Sequence, residues 1–258
     1  LLVQVQRMLL GFGIKAKLQL GPLSLTTLLS QKKGQTKELT VSGGSTSNEI
    51  IVYPQQYSTN HFFIDPVYRT YYDYLKRTIR QEVTPEILAN QIINIEVYLS
   101  QTGLVSQTDP RRTSARAYID LPPRRANTYD STEVPIDTSA GRYEPGIFLK
   151  LTEGKDFTID AYAGILNMNT SFNDDQVIAV SYIVTGANGE GRAYGESFSN
   201  SAGRGLILKL VKPKFVLTNP SYQPAWDLVL KNIYPLRISN IKRQGFSLNV
   251  YRRGDGGA

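Results

Sequence analysis

The alternation of apolar and polar positions predicts a mainly β chain whose centre is the stretch from Pro145 to Val184. A short hairpin is predicted from Phe157 to Met168, because apolar positions alternate with polar ones on each side of Ala163-Gly164. The next run, Val177 to Val184, is apolar on both alternating faces, as expected of a central strand covered on both sides. The rest of the chain therefore reads as strands and short helices added to this sheet.

Further strands are predicted where the same alternation recurs. They are Glu38 to Val41, Glu49 to Tyr53, Ile92 to Leu99, Ala115 to Leu121, Leu206 to Val211 and Phe246 to Tyr251. In the third of these, every second position from Ile93 to Leu99 is apolar, so we expect that face to lie in the core. Between the strands, Pro122 to Tyr143 is a long irregular segment, which predicts either an interaction surface or a loosely ordered loop.

Near the start of the chain, two alternating arms indicate a hairpin. Phe12 to Leu20 and Leu23 to Gln31 each place apolar residues at every second position, and Gly21-Pro22 separates them as a tight turn. Each arm is about as long as a tilted membrane-crossing strand, about 9 to 11 residues. A hairpin from a soluble sandwich carries the same pattern, and periodicity alone favours that soluble alternative.

Two helices are predicted, near residues 65–81 and 224–232. In the first, Asp65 is placed to cap the free amides and Pro66 suits the first helical position. Its apolar stripe carries Val67, Tyr71, Leu75 and Ile79. Pro224 begins the second helix, whose apolar face carries Trp226, Val229, Leu230 and Ile233. Thr84-Pro85-Glu86 indicates a shorter helical turn between them.

The composition limits the kinds of chemistry that the chain can perform. With 258 residues, of which 41% are hydrophobic, the chain is long enough to bury a core. It has no cysteine, which excludes disulfides, a thiolate nucleophile and cysteine-ligated metal. The net charge of +7 suits a polyanionic partner, either nucleic acid or a lipopolysaccharide surface. The basic residues are dispersed in pairs such as Arg111-Arg112 and Arg124-Arg125, however, which favours solvated loop charges.

The sequence predicts no transmembrane helix, because no apolar run approaches the roughly 18 residues that one needs. Leu1 to Leu10 lacks the basic start and the cleavage site of a signal peptide. The chain begins within a pattern and ends on Gly-Asp-Gly-Gly-Ala, so we expect it to be a segment of a larger protein.

Two motifs suggest catalysis or cofactor binding, but the residues around each motif argue against that function. His61 is the only histidine and no GxSxG sequence accompanies it, so a structural role is expected. The run from Gly189 to Gly195 is spaced GxGxxxG, one residue longer than the dinucleotide-binding motif, and no helical pattern follows it. We interpret that run as a flexible connection between strands.

Three smaller signals also have ordinary explanations. Asp174-Asp175 offers too few regularly spaced oxygens for a cation, so a turn is expected. Asn169-Thr170-Ser171 matches a glycosylation acceptor, a pattern that is frequent by chance. Trp226 on a helix stripe is more often a core residue than a partner anchor.

A basic face interleaved with aromatics would indicate nucleic-acid binding. The nearest approach is a set on the first helix: Tyr68, Tyr71, Tyr72 and Tyr74 with Arg69, Lys76, Arg77 and Arg80. Half of these tyrosines fall on the stripe expected to be buried. We therefore assign no catalytic, cofactor-binding or metal-binding residue, and we expect a protein that is not an enzyme, uses no cofactor and binds no nucleic acid.

Several strings, in the same order along the chain, resemble a known family. They are FFIDPVYRTYYDYL (62–75), INIEVYLSQTG (93–103), LTEGKDFTIDAYAGILNMNTSFNDDQVIAVSYIV (151–184), GLILKLVKP (205–213) and PAWDLVLKNIYPL (224–236). Together they resemble the SprA/Sov family, the outer-membrane translocon of the type IX secretion system, also described as a gliding-motility cell-surface protein. The likeness runs from about Phe12 to Tyr251. The Pro-Pro-Arg-Arg at the start of the 122–143 segment departs from it, and the chain is far shorter than whole members of the family.

The resemblance implies a segment of a large outer-membrane β-barrel carrying a β-rich (α+β) soluble insertion. Residues 1–38 would be a barrel-type hairpin, residues 39–243 the insertion, and residues 244–258 a returning barrel-type strand. On this interpretation the Phe12 to Gln31 hairpin faces lipid, and Gly21-Pro22 lies on the periplasmic side because the short turns of such barrels do.

The function that the resemblance implies is non-catalytic passage of folded proteins across the outer membrane, with the insertion at the bacterial cell surface. The implied partners are secreted cargo proteins, a barrel-type shuttle protein, a periplasmic plug protein and outer-membrane lipid. Two alternatives come from other classes. One is a structural, adhesin-like β-module of the cell surface. The other is a β-rich enzyme, which would need two carboxylates in a cleft, and no sequence pairing points to them.

Overall fold

The structure of the chain is a computed structural model, and β-strands are its most frequent secondary structure. It describes residues 52–76, 82–103, 108–200, 204–217 and 219–237 with their side chains, and residues 13–20, 23–30 and 77 as backbone. The described part is mainly β with a few short helices, as the sequence predicted. The predicted turn Gly21-Pro22, the predicted strand Glu38 to Val41 and the predicted strand Phe246 to Tyr251 lie outside the described residues. Of the strand predicted at Glu49 to Tyr53, residues 49–51 also lie outside them, and Val52 and Tyr53 are not in a strand.

The strands and helices have the following bounds. The strands are β1 (Gly13–Leu20), β2 (Leu23–Ser30), β3 (His61–Phe63), β4 (Ile92–Ser100), β5 (Arg112–Tyr118), β6 (Tyr143–Lys150), β7 (Phe157–Asp160), β8 (Ile165–Met168), β9 (Ile178–Val184), β10 (Arg192–Tyr194) and β11 (Leu206–Lys212). The helices are α1 (Val67–Arg77), α2 (Pro85–Ala89) and α3 (Gln223–Leu228). Single 3-10 turns occur at Phe198–Asn200 and Pro220–Tyr222.

The chain forms two compact units. One comprises Leu1–Ser58 together with Lys231–Ala258, and the other is Thr59–Leu230. In the first unit, β1 and β2 form an antiparallel ribbon, and the Ser58 amide donates to the Ile233 carbonyl at 2.7 Å. The residues just before and just after the Thr59–Leu230 unit are therefore hydrogen-bonded to each other in the first unit.

Five strands of the Thr59–Leu230 unit close into a small barrel in the order β4-β9-β11-β5-β6, with β6 returning to β4. All of these pairs are antiparallel except β11 with β5. β10 adds to the part of the β9 edge that β11 leaves free. A second sheet has the order β3-β8-β7. Closure removes the open edges that a five-stranded sheet would otherwise expose.

β9 and β11 are the most deeply buried strands of the barrel. Every residue of β11 is buried, and so is every residue of β9 except Ile183. One face of such a strand points into the barrel and the other must be covered from outside. The prediction of a central strand near Val177 to Val184 is confirmed, and Leu206 to Val211 has the same character.

The long segment after β5 supplies part of that outer cover. Leu121 and Tyr129 are buried in a cluster with Tyr118 and Ile207, against which Val134 also packs. The segment is therefore anchored at Tyr129 and Val134 against residues of β5 and β11. Both alternatives that its length left open, an interaction surface and a loosely ordered loop, stay predictions.

Single hydrogen bonds also reach the edges of β3, β10 and β7. The Leu230 amide donates to the His61 carbonyl of β3 at 3.0 Å, and the Arg124 amide donates to the Ala193 carbonyl of β10 at 2.8 Å. On β7, the Phe157 carbonyl accepts from the Gly154 amide at 2.8 Å. Because an unpaired edge is a template for another strand, these contacts protect the unit against unwanted pairing.

Several element boundaries differ from the prediction. β5 begins at Arg112, before the predicted Ala115, and ends at Tyr118. α3 ends at Leu228, short of the predicted residue 232, because Val229 leaves the helix to bridge Phe62 of β3. α1 is described from Val67 to Arg77, and Asp65 accepts from the Val67 amide at 3.2 Å, so the predicted cap is confirmed.

The expectation that one face of β4 lies in the core from Ile93 onward was wrong at Ile93. Its side chain is 59% exposed, because the register with β9 shifts between Ile92 and Asn94 and turns that residue outward. Further along, Val97, Tyr98 and Leu99 are buried on successive positions. Both faces of this half of the strand are therefore covered.

Three strands were not predicted. β3 and β10 are three residues long, too short for any alternation to be recognised. β6 contains Pro145 and Gly146, residues that are depleted in strands. It forms because all seven residues of β5 pair with it, so tertiary pairing overrides local preference.

The turn between β7 and β8 gives a stability prediction. Gly164 has a φ of +59°, and a Cβ placed there would overlap the ring of Tyr68, which is 1% exposed. Gly154 has a φ of +78° with nothing within 4 Å of such a Cβ. Gly154→Ala should lower the free energy of unfolding by about 1 kcal/mol through backbone strain. Gly164→Ala should lower it by about 1–3 kcal/mol more through overpacking.

Urea unfolding of the two variants beside the unsubstituted chain measures the difference. Equal losses for Gly164→Ala and Gly154→Ala would contradict the packing of Tyr68 against this turn.

Candidate functional site

The residues considered for catalysis or cofactor binding occupy structural positions. His61 lies in β3, and its Nδ1 is 2.7 Å from Oδ1 of Asn167 on β8. The run from Gly189 to Gly195 contains a turn and then β10, so a strand follows where a dinucleotide site needs a helix. Asp174-Asp175 forms a turn, as predicted. Trp226 is partly buried on α3.

The tyrosines of α1 contribute to an internal polar network. Tyr68 donates its hydroxyl hydrogen to the Asn90 carbonyl at 2.7 Å. The Asn90 side chain donates to the Tyr71 hydroxyl at 2.8 Å, which in turn donates to Glu86 at 3.1 Å. Arg192 of β10 completes the network by donating to Asn90 Oδ1 at 2.8 Å. Burial and the bond to Glu86 raise the pKa of Tyr71 to about 12.

A buried ion pair joins the start of α1 to the barrel. Lys209 Nζ is 2.9 Å from Asp65 Oδ2, and the two side chains are 6% and 22% exposed. The ammonium lies 5.9 Å from the centre of the Tyr194 ring, which stacks on Tyr182 at 4.7 Å. Burial, and next the Asp65 carboxylate, raise the pKa of Tyr182 well above its ordinary value. The pair places the helix on the sheet.

A second carboxylate, Glu196, holds the 122–143 segment against the barrel. Its side chain is fully buried and accepts from the Tyr129 amide at 2.8 Å and the Ile207 amide at 2.9 Å. Arg204 Nη2 lies 2.5 Å from its Oε1. Glu196 therefore links the segment, β11 and a cation at one buried point.

The third carboxylate is Glu96 on β4. Lys150 Nζ donates to it at 2.6 Å, the Phe198 amide at 2.8 Å and the Tyr98 hydroxyl at 2.7 Å. Burial alone would raise the pKa of Glu96, but these donors outweigh it and the pKa lies below its ordinary value. With its oxygens held in this way, Glu96 stabilises the junction of β4 and β6.

Lys212 lies at the end of β11, and its side chain donates hydrogen bonds to backbone carbonyls of a nearby loop. Its Nζ donates to the carbonyls of Asp174 at 2.7 Å, Gln176 at 2.8 Å and Pro213 at 3.1 Å. Burial lowers the pKa of Lys212, and nearby carboxylates, with Asp174 first, oppose that shift. This lysine fixes the loop before β9, which contains the predicted Asp174-Asp175 turn.

Sequence reasoning did not find the roles of Lys209, Glu196, Glu96 and Lys212. The partners of Glu96 and Glu196 are up to 102 and 67 residues away in the chain, so no local spacing marks them. Within the described parts of the chain, no group of three or more His, Cys, Asp or Glu side chains is placed to hold a metal ion.

The β1–β2 ribbon is the feature that remains as a candidate functional site. Its register pairs Ile14 with Leu29, Leu18 with Leu25 and Leu20 with Leu23, while Lys17 is paired with Thr26. Residues opposite one another in an antiparallel pair share a face. Most apolar positions of both strands thus coincide on one face, which also carries Thr27, and most polar positions coincide on the other, which also carries Leu28 opposite Lys15.

Among the described helices, none combines the length and the apolar character needed to cross a bilayer. Comparison of the chain with protein-family models and with curated proteins found no match.

The Glu196 cluster yields a prediction for the 122–143 segment. Glu196→Gln removes the charge opposite Arg204 and turns an amide donor toward the Tyr129 or Ile207 amide. The free energy of unfolding should fall by about 2–4 kcal/mol, since breaking a buried pair leaves its partners unsatisfied. Glu190→Gln, at an exposed position, is the matched control and should change it by less than about 0.5 kcal/mol.

Proteolysis of the folded variants gives a second measurement, in which Glu196→Gln should expose the 122–143 segment to cleavage. Unchanged stability and unchanged cleavage would contradict the role given to Glu196.

Proposed function

We propose that this chain is part of an outer-membrane protein-translocation channel of the type IX secretion and gliding-motility kind, in which it forms channel wall or cap and performs no catalysis. The observation that supports the proposal is the register of β1 with β2, which gives the ribbon one mainly apolar and one mainly polar face. A wall strand of an outer-membrane barrel needs this arrangement, with lipid on one side and water on the other.

The energetics of the ribbon support a membrane setting. A two-stranded ribbon with an apolar face needs further strands or an apolar covering for stability. Burying a large aliphatic side chain contributes about 1.5–3 kcal/mol, and the mainly apolar face carries Ile14, Leu18, Leu20, Leu23, Leu25 and Leu29. Contact with acyl chains and pairing with further strands of a larger barrel would satisfy both the side chains and the backbone edges.

The Thr59–Leu230 unit would be the core of the soluble insertion, placed at the surface of the bacterial cell. Its loops are rich in Gly, Ser and dispersed charge, which gives a weakly adhesive surface toward varied folded cargo. The partners are then secreted cargo proteins, a barrel-type shuttle protein, a periplasmic plug protein and outer-membrane lipid. Nucleic acid is not among them.

A structural, adhesin-like module of the cell surface is the second candidate. The observation that favours it is the closed five-stranded barrel of the Thr59–Leu230 unit, which has its own buried core. A module of this kind would place the apolar face of β1 and β2 in a protein core. The two candidates therefore differ in what that face touches.

Spin labels on the ribbon separate the two candidates. The chain has no cysteine, so Leu18→Cys, Leu25→Cys, Lys17→Cys and Thr26→Cys each supply one attachment site in it. In native membranes of the full-length protein, labels at 18 and 25 should collide with oxygen, which concentrates in lipid, and little with a water-soluble nickel chelate. Labels at 17 and 26 are the matched controls and should collide mainly with the chelate.

Power-saturation electron paramagnetic resonance measures both collision rates. Labels at 18 and 25 that reach neither reagent would place this face in a protein core, which supports the adhesin-like module and contradicts the channel.

A further inference from the structure

We propose that the outer face of β5 and β6 is a docking surface for an acidic β-strand of another polypeptide. The register of the two strands defines this face, because residues opposite one another in an antiparallel pair lie on the same side of the sheet. Three opposed pairs make up what we name the β5–β6 face: Arg112 with Leu149, Ser114 with Ile147, and Arg116 with Pro145. Two arginines of β5 thus lie beside a row of three apolar residues of β6.

Solvent reaches the β5–β6 face. Half of its residues are exposed and the other half are partly exposed: Ser114, Arg116 and Pro145, and then Arg112, Ile147 and Leu149. The alternate residues of β5, from Thr113 to Ala117, are buried, so they form the inner side of the barrel wall. At Tyr118 the outer side of β5 is covered by the cluster that contains Tyr129. The β5–β6 face begins where that cover ends.

The two arginines of the face have no counter-charge among the described residues. Neither the guanidinium of Arg112 nor that of Arg116 makes an ion pair or a hydrogen bond there. Every other arginine described with its side chain in the Thr59–Leu230 unit has a partner. Five lie beside carboxylates and two donate to uncharged oxygens: Arg69, Arg111, Arg125, Arg142 and Arg204, and then Arg124 and Arg192. Both unpartnered arginines are therefore on this one face.

The arginines indicate an acidic partner with a defined spacing. A guanidinium binds a carboxylate through two parallel hydrogen bonds, so two free guanidinium groups favour a partner that carries carboxylates. Arg112 and Arg116 are four residues apart on a strand, a distance of about 13 Å at about 3.3 Å per residue. Carboxylates four residues apart on another β-strand have the same interval. Such a strand can therefore pair with both arginines at once.

The apolar row favours a polypeptide over a phosphate-rich surface. Pro145, Ile147 and Leu149 lie one strand away from the arginines, about 5 Å in a paired sheet, so aliphatic side chains of a partner strand can pack against them. Recognition of an anionic bilayer ordinarily takes a cluster of about four to eight basic residues, and this face has two. The inference is independent of the channel proposal, because both candidate functions leave the Thr59–Leu230 unit in water.

The test uses the whole 258-residue chain and a short fluorescent peptide that repeats the sequence glutamate, threonine, valine, threonine. One face of this peptide, when extended, carries glutamates at the interval of the two arginines with a valine between them. We expect saturable binding by fluorescence anisotropy at about 150 mM salt, where the Debye length is about 8 Å and distant charges are screened. Chemical-shift changes at the Ser114 and Ile147 amides should accompany the binding.

Charge reversal on the face should weaken the binding. Arg116→Glu should lower the affinity by about tenfold or more, since it replaces an attraction for the peptide's glutamate with a repulsion. Arg125→Glu is the matched control, because the Arg125 side chain is 90% exposed on the 122–143 segment. That variant should bind the peptide as the unsubstituted chain does. Circular dichroism should show that both variants are folded, since both substitutions are at the surface.

Two control peptides test the two parts of the proposal. Glutamine in place of glutamate removes the charge and should abolish binding, and serine in place of valine removes the apolar contact and should weaken it. Absence of binding, equal binding of either control peptide, or equal weakening by Arg116→Glu and Arg125→Glu would overturn the proposal. Phosphatidylglycerol vesicles that bind while the peptide does not would also overturn it, as would self-association that Arg116→Glu abolishes, since lipid or a second copy would then occupy the face.

Discussion

The main-chain hydrogen bonds at strand edges are the constraint on which the Thr59–Leu230 unit depends. A row of unpaired amides and carbonyls is costly when buried and invites wrong partners when exposed. The barrel meets this constraint by closing, with β9 between β4 and β11 and with β6 returning to β4. The smaller sheet and β10 meet it with single residues, such as Val229 against Phe62. The fold is thus organised by edges as much as by its core.

Buried charge imposes a second condition on the same unit. Lys209, Glu196 and Lys212 are each at most 7% exposed, and each has a counter-charge or several backbone partners. A buried ion pair is a weak source of net stability, but one left without its partner is strongly destabilising. These groups therefore fix which segments lie together, and Glu196 in particular anchors the 122–143 segment through the Tyr129 amide.

Local sequence patterns were sufficient to predict part of this fold and did not predict the rest. The hairpin of β7 and β8, the central strand β9 and the Asp65 cap could be predicted because the residues that determine them are neighbours in sequence. β6 could not, since Pro145 disfavours a strand and only pairing with β5 explains it. Glu96 and Glu196 carry no motif, because their donors come from distant segments. Ile93 was misplaced by a one-residue register shift that alternation does not reveal.

The ribbon of β1 and β2 connects this structure to the channel proposal, because its apolar face suits lipid and its polar face suits water. The most direct measurement is fractionation of the native full-length protein. The account predicts that the protein stays with the outer membrane after alkaline washing, leaves it only in detergent, and brings cargo and channel partners with it. A protein recovered without detergent as a monodisperse soluble species, with the β1–β2 ribbon folded, would contradict the account.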